Sequence, residues 1–465
     1  MPSNEVPSKS GVVYATPRSV GSPQDRAWDI AYTCILGLFL LASVGLTVAT
    51  LRWGKNRVLI YSDGKYYYIW ARSILLDHDI DFRNDYRLTH YQDDPLPPEH
   101  AVRTPAGYVV DKYPVGMAIL EAPGLLLGHV AARYVWHTAA DGVSRPYQVA
   151  VAWSLLVLYF ASFVLLYQAM LCLGVARIWA LSFCLTALVG TNLVHYVAKE
   201  PTMPHAAGVA ILNISLFLVA RWGGQTARIR PVRGILLGAL VGLLFLIRST
   251  NMLMLPGLVA LASSRRRVSG GEVVPILLGV VSFAALQPIS LWFLWGRLRL
   301  STYMSESFTS GVSGLVNVLV SARHGLLVYS PWYAVLLLIA AYGAFRVPQA
   351  RRVCIAVIVS FFLMVLANGT WWCWWFGWSY GNRAFIETLP LLSLAAAMSL
   401  SRLGVSKRTV ITVGTATVAV VVLNLYLWLG YLLKAYPHDG SHTIGQAYLW
   451  LWLHSPASLI QHLAH

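Results

Sequence analysis

The chain has 465 residues, of which 57% are hydrophobic and 12% are charged. Soluble proteins contain about 45–50% apolar and about 25% charged residues, so this composition excludes soluble, disordered and fibrous proteins and predicts a polytopic membrane protein. The 35 Lys and Arg residues against 19 Asp and Glu residues give a formal net charge of +16, and because the cations fall between apolar runs, they indicate membrane orientation and no nucleic-acid partner.

Apolar runs occupy most of the chain. Helices of about 17–25 apolar residues cross a hydrocarbon core of about 30 Å, and we therefore predict an all-α polytopic membrane protein with about eleven transmembrane helices. The predicted spans are 29–51, 149–174, 178–194, 205–220, 234–247, 252–263, 274–295, 326–345, 353–370, 384–400 and 409–433. The spans 234–247 and 252–263 are short, and they form either one kinked hairpin or two tilted helices.

The distribution of charge predicts the orientation. With residues 1–28 as a cytoplasmic tail, the inside connections 175–177, 221–233, 264–273, 346–352 and 401–408 hold 14 Lys and Arg residues and one acid. This is a positive-inside pattern. The transmembrane domain is then 29–433, with a long first extracytoplasmic loop over 52–148 that holds 11 of the 19 acids, and 434–465 is a short extracytoplasmic tail. We expect a multi-pass protein of the cell inner (plasma) membrane with an extracytoplasmic active site.

The first outer loop contains two predicted surface helices. After Asp63, aromatic and apolar residues recur at helical spacing, which predicts an amphipathic helix that starts at this carboxylate and lies along the membrane surface. A purely structural alternative is that Ser62 or Asp63 is the N-cap of this helix. The Gly- and Pro-containing run 114–127 predicts a second surface helix, with Lys112 at the level of lipid headgroups. Ordinary snorkelling would also explain this lysine.

The acidic run from Asp77 to Asp81 contains two DxD patterns. Such a pair can hold a divalent cation against a nucleotide-sugar diphosphate, but nucleotide sugars are absent outside the cytoplasm, so we expect a polar loop that closes the preceding helix. We expect no metal and no cofactor, although these acids are compatible with a divalent cation. The five cysteines are odd in number and form no CxxC pair, so we expect neither a zinc site nor a disulfide framework.

Later outer segments each place polar residues beside an apolar run. They are HYVAKEPTMPH with Glu200 and His205, LFLIRSTN with Arg248, RHGLLVYSPW with Arg323 and His324, and WFGWSYGNRAFIE with Trp378, Tyr380 and Arg383. An Arg at a span end can bind phosphate oxygens in a bidentate fork, but it can equally anchor the helix end. The tryptophans of this last loop form either an interfacial aromatic belt or a platform for sugar rings or an isoprenoid chain.

In their order along the chain, these features resemble the GT-C superfamily of glycosyltransferases. Within it they look most like the bacterial relatives of the protein O-mannosyltransferases and the lipid A aminoarabinose transferase, and the resemblance covers residues 29–400. It implies transfer of a sugar from a polyprenyl-phosphate carrier at the outer leaflet, with Asp63 as the catalytic carboxylate. The family usually has a second acid or an equivalent polar residue directly after this one, whereas the next residue here is Gly64, so the paired-acid form of the motif is absent.

The residue types also suit this chemistry. Transfer from a phosphate-linked sugar needs cations for the leaving phosphate, a base for the incoming hydroxyl and a carboxylate near the oxocarbenium-like centre. The predicted catalytic residues are Asp63 and Glu200, and the predicted substrate-binding residues are Lys112, His205, Arg248, Arg323, His324, Trp378, Tyr380 and Arg383. The expected partners are a polyprenyl-phosphate sugar donor, a lipid, glycan or protein acceptor, and membrane lipids.

Two other functions remain open at this point. An O-antigen-ligase or polymerase-like transferase would share the polyprenyl substrate, but such proteins usually place their long outer loop late in the chain. A polytopic lipid or solute transporter would place charged residues inside its spans, whereas the charges here lie mostly at span ends.

Overall fold

The structure is a computed structural model that describes residues 23–54, 57–89, 103–223, 230–265, 269–299, 303, 306–309, 311–402 and 406–453. Within these residues every regular element is a helix, apart from an isolated antiparallel bridge between Arg103 and Val109. Seven helical stretches of this part of the chain are long and apolar enough to cross a membrane: Pro23–Trp53, Arg145–Cys172, Pro204–Gly223, Gly270–Trp295, Arg351–Gly369, Arg383–Leu400 and Lys407–Leu432. The predicted all-α polytopic fold is confirmed.

The described residues up to Arg265 contain ten α-helices. They are α1 (Pro23–Trp53), α2 (Asp63–Arg72), α3 (Arg83–Thr89), α4 (Gly116–Val130), α5 (Arg145–Cys172), α6 (Arg177–Val189), α7 (Leu193–Ala198), α8 (Pro204–Gly223), α9 (Pro231–Ile247) and α10 (Leu255–Arg265). Short π-helical segments follow α2 and α4, and a 3-10 turn over Ser249–Met254 joins α9 to α10. Pro204 and Pro231 begin α8 and α9, where the fixed φ of proline suits the first turn and its missing N–H leaves no bond unmade.

The described residues from Gly270 to Leu453 contain ten more α-helices. They are α11 (Gly270–Ala284), α12 (Leu286–Trp295), α13 (Gly311–Val320), α14 (Leu326–Tyr329), α15 (Trp332–Arg346), α16 (Arg351–Gly369), α17 (Leu389–Leu400), α18 (Lys407–Leu432), α19 (Ile444–Tyr448) and α20 (Trp450–Leu453). A 3-10 turn over Arg383–Thr388 leads into α17. The segment from α18 to α20 packs back on the helices, with Tyr431, Tyr436 and Trp450 buried among other aromatic residues.

Each predicted span coincides with helical residues, but several spans are divided. The predicted span 178–194 is helical to Val189 and resumes as α7, and 326–345 is broken between α14 and α15 at Ser330 and Pro331. The pair 234–247 and 252–263 is two helices joined by a 3-10 turn. The total of eleven membrane crossings stays a prediction. Residues 1–22, 90–102 and 454–465, and parts of the loops 221–233, 264–273 and 401–408, lie outside the described residues.

The segment 296–325, between two predicted spans, contains the helix α13, which packs on α16 with Leu315 against Gly369. One local prediction is wrong. The helix α2 starts at Asp63 as predicted, but it is not an amphipathic surface helix. All its residues from Gly64 to Arg72 are buried, because α4 and its neighbours cover the face that the sequence suggested was open.

Close helix contacts fix the elements that carry the polar residues. A Cβ atom at Gly238 of α9 would overlap the carbonyl oxygen of Ile276 on α11, and one at Gly279 would overlap that of Ile235. Small residues at such crossings let two backbones approach closely within a membrane. This pairing holds α9 in place, and α9 ends directly before Arg248.

Candidate active site

The site is built around an ion pair between two residues that lie 320 positions apart in the sequence. Asp63 begins α2 and Arg383 begins the 3-10 turn before α17, and Arg383 Nη2 donates to Asp63 Oδ2 over 2.6 Å. Their side chains are 28% and 12% exposed, so the pair is shielded but reachable. Ser62 makes no side-chain capping bond. The contact with Arg383 therefore gives Asp63 a partner that the N-cap alternative does not explain.

Neighbouring groups keep Asp63 charged. Burial alone would raise the pKa of this carboxyl, but the positive charge of Arg383, a hydrogen bond from Tyr113 and the charge of Lys112 together hold the pKa below its ordinary value. A carboxylate that accepts two such bonds is an anion at neutral pH. Tyr113 is itself held by its backbone, because its carbonyl accepts a 2.9 Å bond from the indole N–H of Trp70 on α2.

Lys112 is paired with an acid that the sequence analysis did not single out. Its Nζ lies 2.7 Å from Glu306 Oε1, and the other oxygen of Glu306 accepts a 3.2 Å bond from the indole of Trp372. Although burial lowers the pKa of Lys112, the bond and charge of Glu306 raise it overall. Glu306 was not recognisable because it lies in a polar stretch with no helical or motif signal.

Glu200 lies on the turn between α7 and α8. A Cβ atom at Gly64 would overlap Thr202 Oγ1 and would lie 3.2 Å from Thr202 Cβ, so this turn packs directly on the start of α2. The contact explains why Gly64 follows Asp63, since a second acid at position 64 has no room. The second acid beside Asp63 is instead Glu200, whose pKa burial would raise but whose neighbours His195 and Arg383 lower.

A second buried charge cluster lies at the start of α8 and the end of α9. Glu387 Oε1 accepts from Arg248 Nη1 over 3.0 Å and lies 3.2 Å from His205 Nδ1. Glu387 is 1% exposed, and its other carboxylate oxygen has no hydrogen-bond partner within the described residues. The sequence analysis missed this residue, and the available signal was an acid inside the otherwise apolar segment of 384–400.

Tyrosine rings connect the two clusters. The ring of Tyr113 lies 4.6 Å from that of Tyr67 and 6.4 Å from that of Tyr303. Burial raises the pKa of the Tyr67 hydroxyl well above its ordinary value, and the charges of Arg248 and Asp63 both act on it. Tyr67 is therefore close to charged groups of both clusters, namely Asp63 and Arg383 in the first and Arg248 in the second.

The other predicted site residues lie further from the ion pair. Arg323 stacks on the ring of Trp375 at 3.9 Å, and its Nε donates to the carbonyl of Asp439 over 3.1 Å. His324 is buried, and burial with the nearby charges of His442 and Arg323 lowers its pKa to about 3.

Trp378 and Tyr380 are two residues apart but differ in environment. Trp378 is 75% exposed. Tyr380 is fully buried, and its hydroxyl bonds to the side-chain oxygen of Asn424 over 3.0 Å. Tyr380 therefore joins the aromatic loop to α18 and offers no surface to a ligand in this conformation.

An apolar groove of about 390 Å³ lies among the helices that flank the polar residues. It runs between α2, α4 and α12, and its lining residues include Trp70, Ile74, Val115, Ile119, Ile289 and Phe293. Val115 is two residues from Tyr113, and the Val115 N–H donates to Gln287 Oε1 over 3.1 Å, which ties α12 to this end of the groove. The groove therefore shares the helix α2 with Asp63, which begins that helix, and Val115 of its lining lies two residues after Tyr113.

The acidic run 77–81 is engaged by the protein. Asp77 pairs with Arg72, Asp79 Oδ1 accepts from Ser73 over 2.8 Å, and Asp81 Oδ1 accepts from the Val109 N–H over 2.9 Å. These contacts close the helix as the polar-loop interpretation predicted. Among the described residues, no group of three His, Cys, Asp or Glu side chains has the arrangement of a metal site.

Neither the known protein families nor the curated protein sequences contain a match to this chain. Among solved structures, the fold aligns with ArnT from Cupriavidus metallidurans bound to undecaprenyl phosphate, at 14% identity and a TM-score of 0.46, over 94% of this chain and 77% of that one. It also aligns with the oligosaccharyltransferase AglB from Archaeoglobus fulgidus in complex with an inhibitory peptide and a dolichol-phosphate, at 12% identity and a TM-score of 0.43, over 96% of this chain and 60% of that one. The chain thus spans less than two thirds of AglB. Similarity at this level says nothing about activity.

Proposed function

We propose that this protein is a membrane glycosyltransferase that moves a sugar from a polyprenyl-phosphate carrier to an extracytoplasmic acceptor. The observation that carries the proposal is the Asp63–Arg383 pair, with 2.6 Å between Oδ2 and Nη2, at the start of the helix α2, which also lines an apolar groove of about 390 Å³. A lipid-linked sugar has two matching parts, since an apolar chain meets a polar phosphate-sugar head. We propose that the groove binds the apolar chain and that the charged pair meets the polar head.

The cations of the site suit the leaving group. As the bond between the sugar and the phosphate breaks, negative charge grows on the phosphate, and fixed cations stabilise it without rearrangement. Lys112 and Arg248 are already held by Glu306 and Glu387, over 2.7 Å and 3.0 Å. We propose that both cations, with Arg383, bind the carrier phosphate, and that the paired acids keep them oriented before the donor arrives.

The carboxylates suit the acceptor side of the reaction. The acceptor hydroxyl attacks the anomeric carbon, the bond from this carbon to the phosphate oxygen breaks, and the hydroxyl proton passes to Asp63. Because the lowered pKa makes Asp63 a weak base, we propose that it orients the hydroxyl first and takes the proton late, when the oxocarbenium-like centre has made that proton acidic. Glu200 would contribute a second negative charge to stabilise this centre.

Transfer assays with the purified protein test the proposal. Polyprenyl-phosphate sugars with different labelled sugars are incubated with and without membrane lipid extracts, and both the released polyprenyl phosphate and the labelled product are measured. We expect acceptor-dependent release of polyprenyl phosphate from at least one donor, and its loss in Asp63→Asn. The matched control is Asp79→Asn, which changes an acid of the same outer loop that bonds only to its own turn.

The outcomes separate the alternatives. A transporter would move a lipid or solute across vesicles and leave the sugar-phosphate bond intact. If no donor is cleaved, or if Asp79→Asn abolishes activity while Asp63→Asn does not, the proposed reaction and its catalytic residue are wrong.

A further inference from the structure

A hydrogen bond and an ion-pair contact connect three side chains from the last long helix to Glu200. The indole Nε1 of Trp428 on α18 lies 3.1 Å from Nδ1 of His195 on α7. On the other side of the same ring, Nε2 of His195 lies 3.5 Å from Glu200 Oε1. His195 is 3% exposed, so water does not compete for either nitrogen.

This arrangement determines which nitrogen of His195 carries the proton. An indole N–H can only donate, so Nδ1 of His195 must accept. The ring proton is then on Nε2, where it points to the Glu200 carboxylate. The hydrogen bond that one ring nitrogen makes generally fixes the role of the other. His195 thus cannot take a proton at Nε2, and it presents a donor to Glu200 whether the ring is neutral or charged.

Backbone contacts fix the same residues. The carbonyl of His195 accepts from the N–H groups of Lys199 and Glu200, over 2.8 Å and 3.1 Å. The helix α18 is itself fastened to the turn before α7, because Asn424 Nδ2 donates to the carbonyls of Val189 and Thr191 over 2.7 Å and 2.8 Å. Glu200 is therefore held by its backbone and its side chain, and both supports depend on His195.

We infer that Trp428 and His195 are positioning residues for Glu200, which they hold as a fixed anion beside Asp63 and Arg383. The catalytic meaning of this inference rests on the proposed function, whereas the tautomer of His195 does not. Neither residue touches the donor or the acceptor. Their contribution is to keep the Nε2–H directed at Glu200 at every pH at which the protein works.

Other titratable groups also face His195. They are Tyr196 on α7, Tyr380 in the aromatic loop, Tyr431 on α18 and His438 after α18, in addition to Glu200. Only Glu200 is an acid, and His438 is stacked on the Tyr431 ring at 3.9 Å. The pH effect is assigned to His195 by two variants. It should appear when Trp428→Phe removes the indole N–H, and it should disappear when the imidazole is removed as well.

The test removes the indole N–H and keeps an aromatic ring. In Trp428→Phe, Nδ1 is free to carry the proton, and the neutral ring can then turn a lone pair toward Glu200. Charged histidine still donates from Nε2. We therefore expect kcat to be near the parent value at acid pH, at which the charged ring donates, and to fall roughly tenfold or more at higher pH, at which the ring is neutral. The parent should show no such decline, and the KM for the donor should change little.

A matched control and a conservative variant complete the test. Trp153→Phe removes another indole bond between helices, to Thr47 Oγ1 over 2.9 Å, with no histidine involved, and it should keep the parent pH profile. His195→Gln keeps an N–H near the Nε2 position and should retain more kcat than His195→Leu. The new pH limb should vanish in the double variant Trp428→Phe/His195→Gln.

Nuclear magnetic resonance of ¹⁵N-histidine-labelled protein, with the His195 signal assigned by its loss in His195→Gln, gives a readout that is independent of activity. The expected result is an Nε2–H tautomer in the parent and a mixture in Trp428→Phe. An Nδ1–H tautomer in the parent, or a flat pH profile in Trp428→Phe, overturns the inference. If the parent transfers no sugar from any donor, the proposed function fails, and the resonance measurement still decides the tautomer.

Discussion

Replacing Asp63 by Asn separates the chemical role of this carboxylate from its structural role. Asn keeps the shape of the side chain and one oxygen that can accept from Arg383, but it removes the negative charge. A hydrogen bond between charged groups contributes about 1.5–3 kcal/mol, and because the Asp63 side chain is 28% exposed, we expect a loss of stability near the lower end of that range. Loss of the base should reduce kcat by about 10²–10⁴-fold.

The double variant Asp63→Asn/Arg383→Gln distinguishes the two effects. Removing the cation as well leaves no uncompensated charge in a shielded place, so part of the lost stability should return while the activity stays absent. Thermal unfolding in detergent and release of labelled polyprenyl phosphate would be measured on the same preparations. If the double variant recovers activity together with stability, the defect of Asp63→Asn comes from the unpaired arginine, and Asp63 is not a catalytic residue.

The pH dependence follows from the same contacts. Unfolded Asp and Glu carboxyls titrate near 3.9 and 4.3, and the pKa values of Asp63 and Glu200 are lowered in the folded protein. The stability from their contacts is therefore present above about pH 4 and is lost as the pH falls through the folded values. We expect activity that depends on these two acids to be constant between about pH 5 and 8. A loss of activity as the pH falls from about 8 to about 5, absent from the residual activity of Asp63→Asn, would contradict this.

Three further predictions concern packing, a buried acid and orientation. Gly64→Ala should destabilise the protein by about 1–3 kcal/mol through overlap with Thr202, and Thr202→Ala in the same chain should restore most of the loss in thermal unfolding; no rescue would mean that the strain lies elsewhere. Glu121 is fully buried, its carboxylate has no partner within the described residues, and burial raises its pKa. Because the folded protein then holds a proton that the unfolded chain releases, Glu121→Gln should gain stability over the parent by up to about 1.4 kcal/mol per pH unit as the pH rises above about 4.3. A constant difference in stability between about pH 5 and 8 would show that Glu121 is charged. Ala106 and Gly270 are exposed, and each can be replaced by cysteine in a cysteine-free background. Ala106→Cys should react with an impermeant maleimide in intact cells, whereas Gly270→Cys should react only after permeabilisation. The reverse pattern would mean that the orientation is inverted.

The sequence by itself determined the class of protein and the positions of most helices. Long apolar runs leave the backbone no partner in lipid other than its own helix, so α1, α5 and α18 follow from composition alone. Breaks within the runs were harder to foresee. The interruption of 326–345 falls at Ser330 and Pro331, and the N–H of Asn192 donates to Ser330 Oγ there over 2.9 Å. No local pattern records this partner, which lies 138 residues away.

The site residues divide in the same way. Asp63, Lys112 and Arg383 were recognisable because placing a charged group beside an apolar run costs free energy, so such a charge indicates a structural or functional role. Their pairing was not recognisable, since Arg383 meets Asp63 across 320 residues and Lys112 meets Glu306 across 194. Only the tertiary structure joins these segments, because the apolar helices pack without regard to sequence separation and the outer turns then meet wherever the helices end.

The absent second acid illustrates the difference most clearly. Gly64 in the sequence is only a departure from the motif of the resembled family. In the folded chain the missing Cβ lets Thr202 approach the start of α2, and this contact brings Glu200 to the place beside Asp63. The sequence determined that a charge would occur at each of these positions. The packing of one turn on another decided which charges act together, because electrostatic coupling depends on distance in space and on burial, and neither is written in the order of the residues.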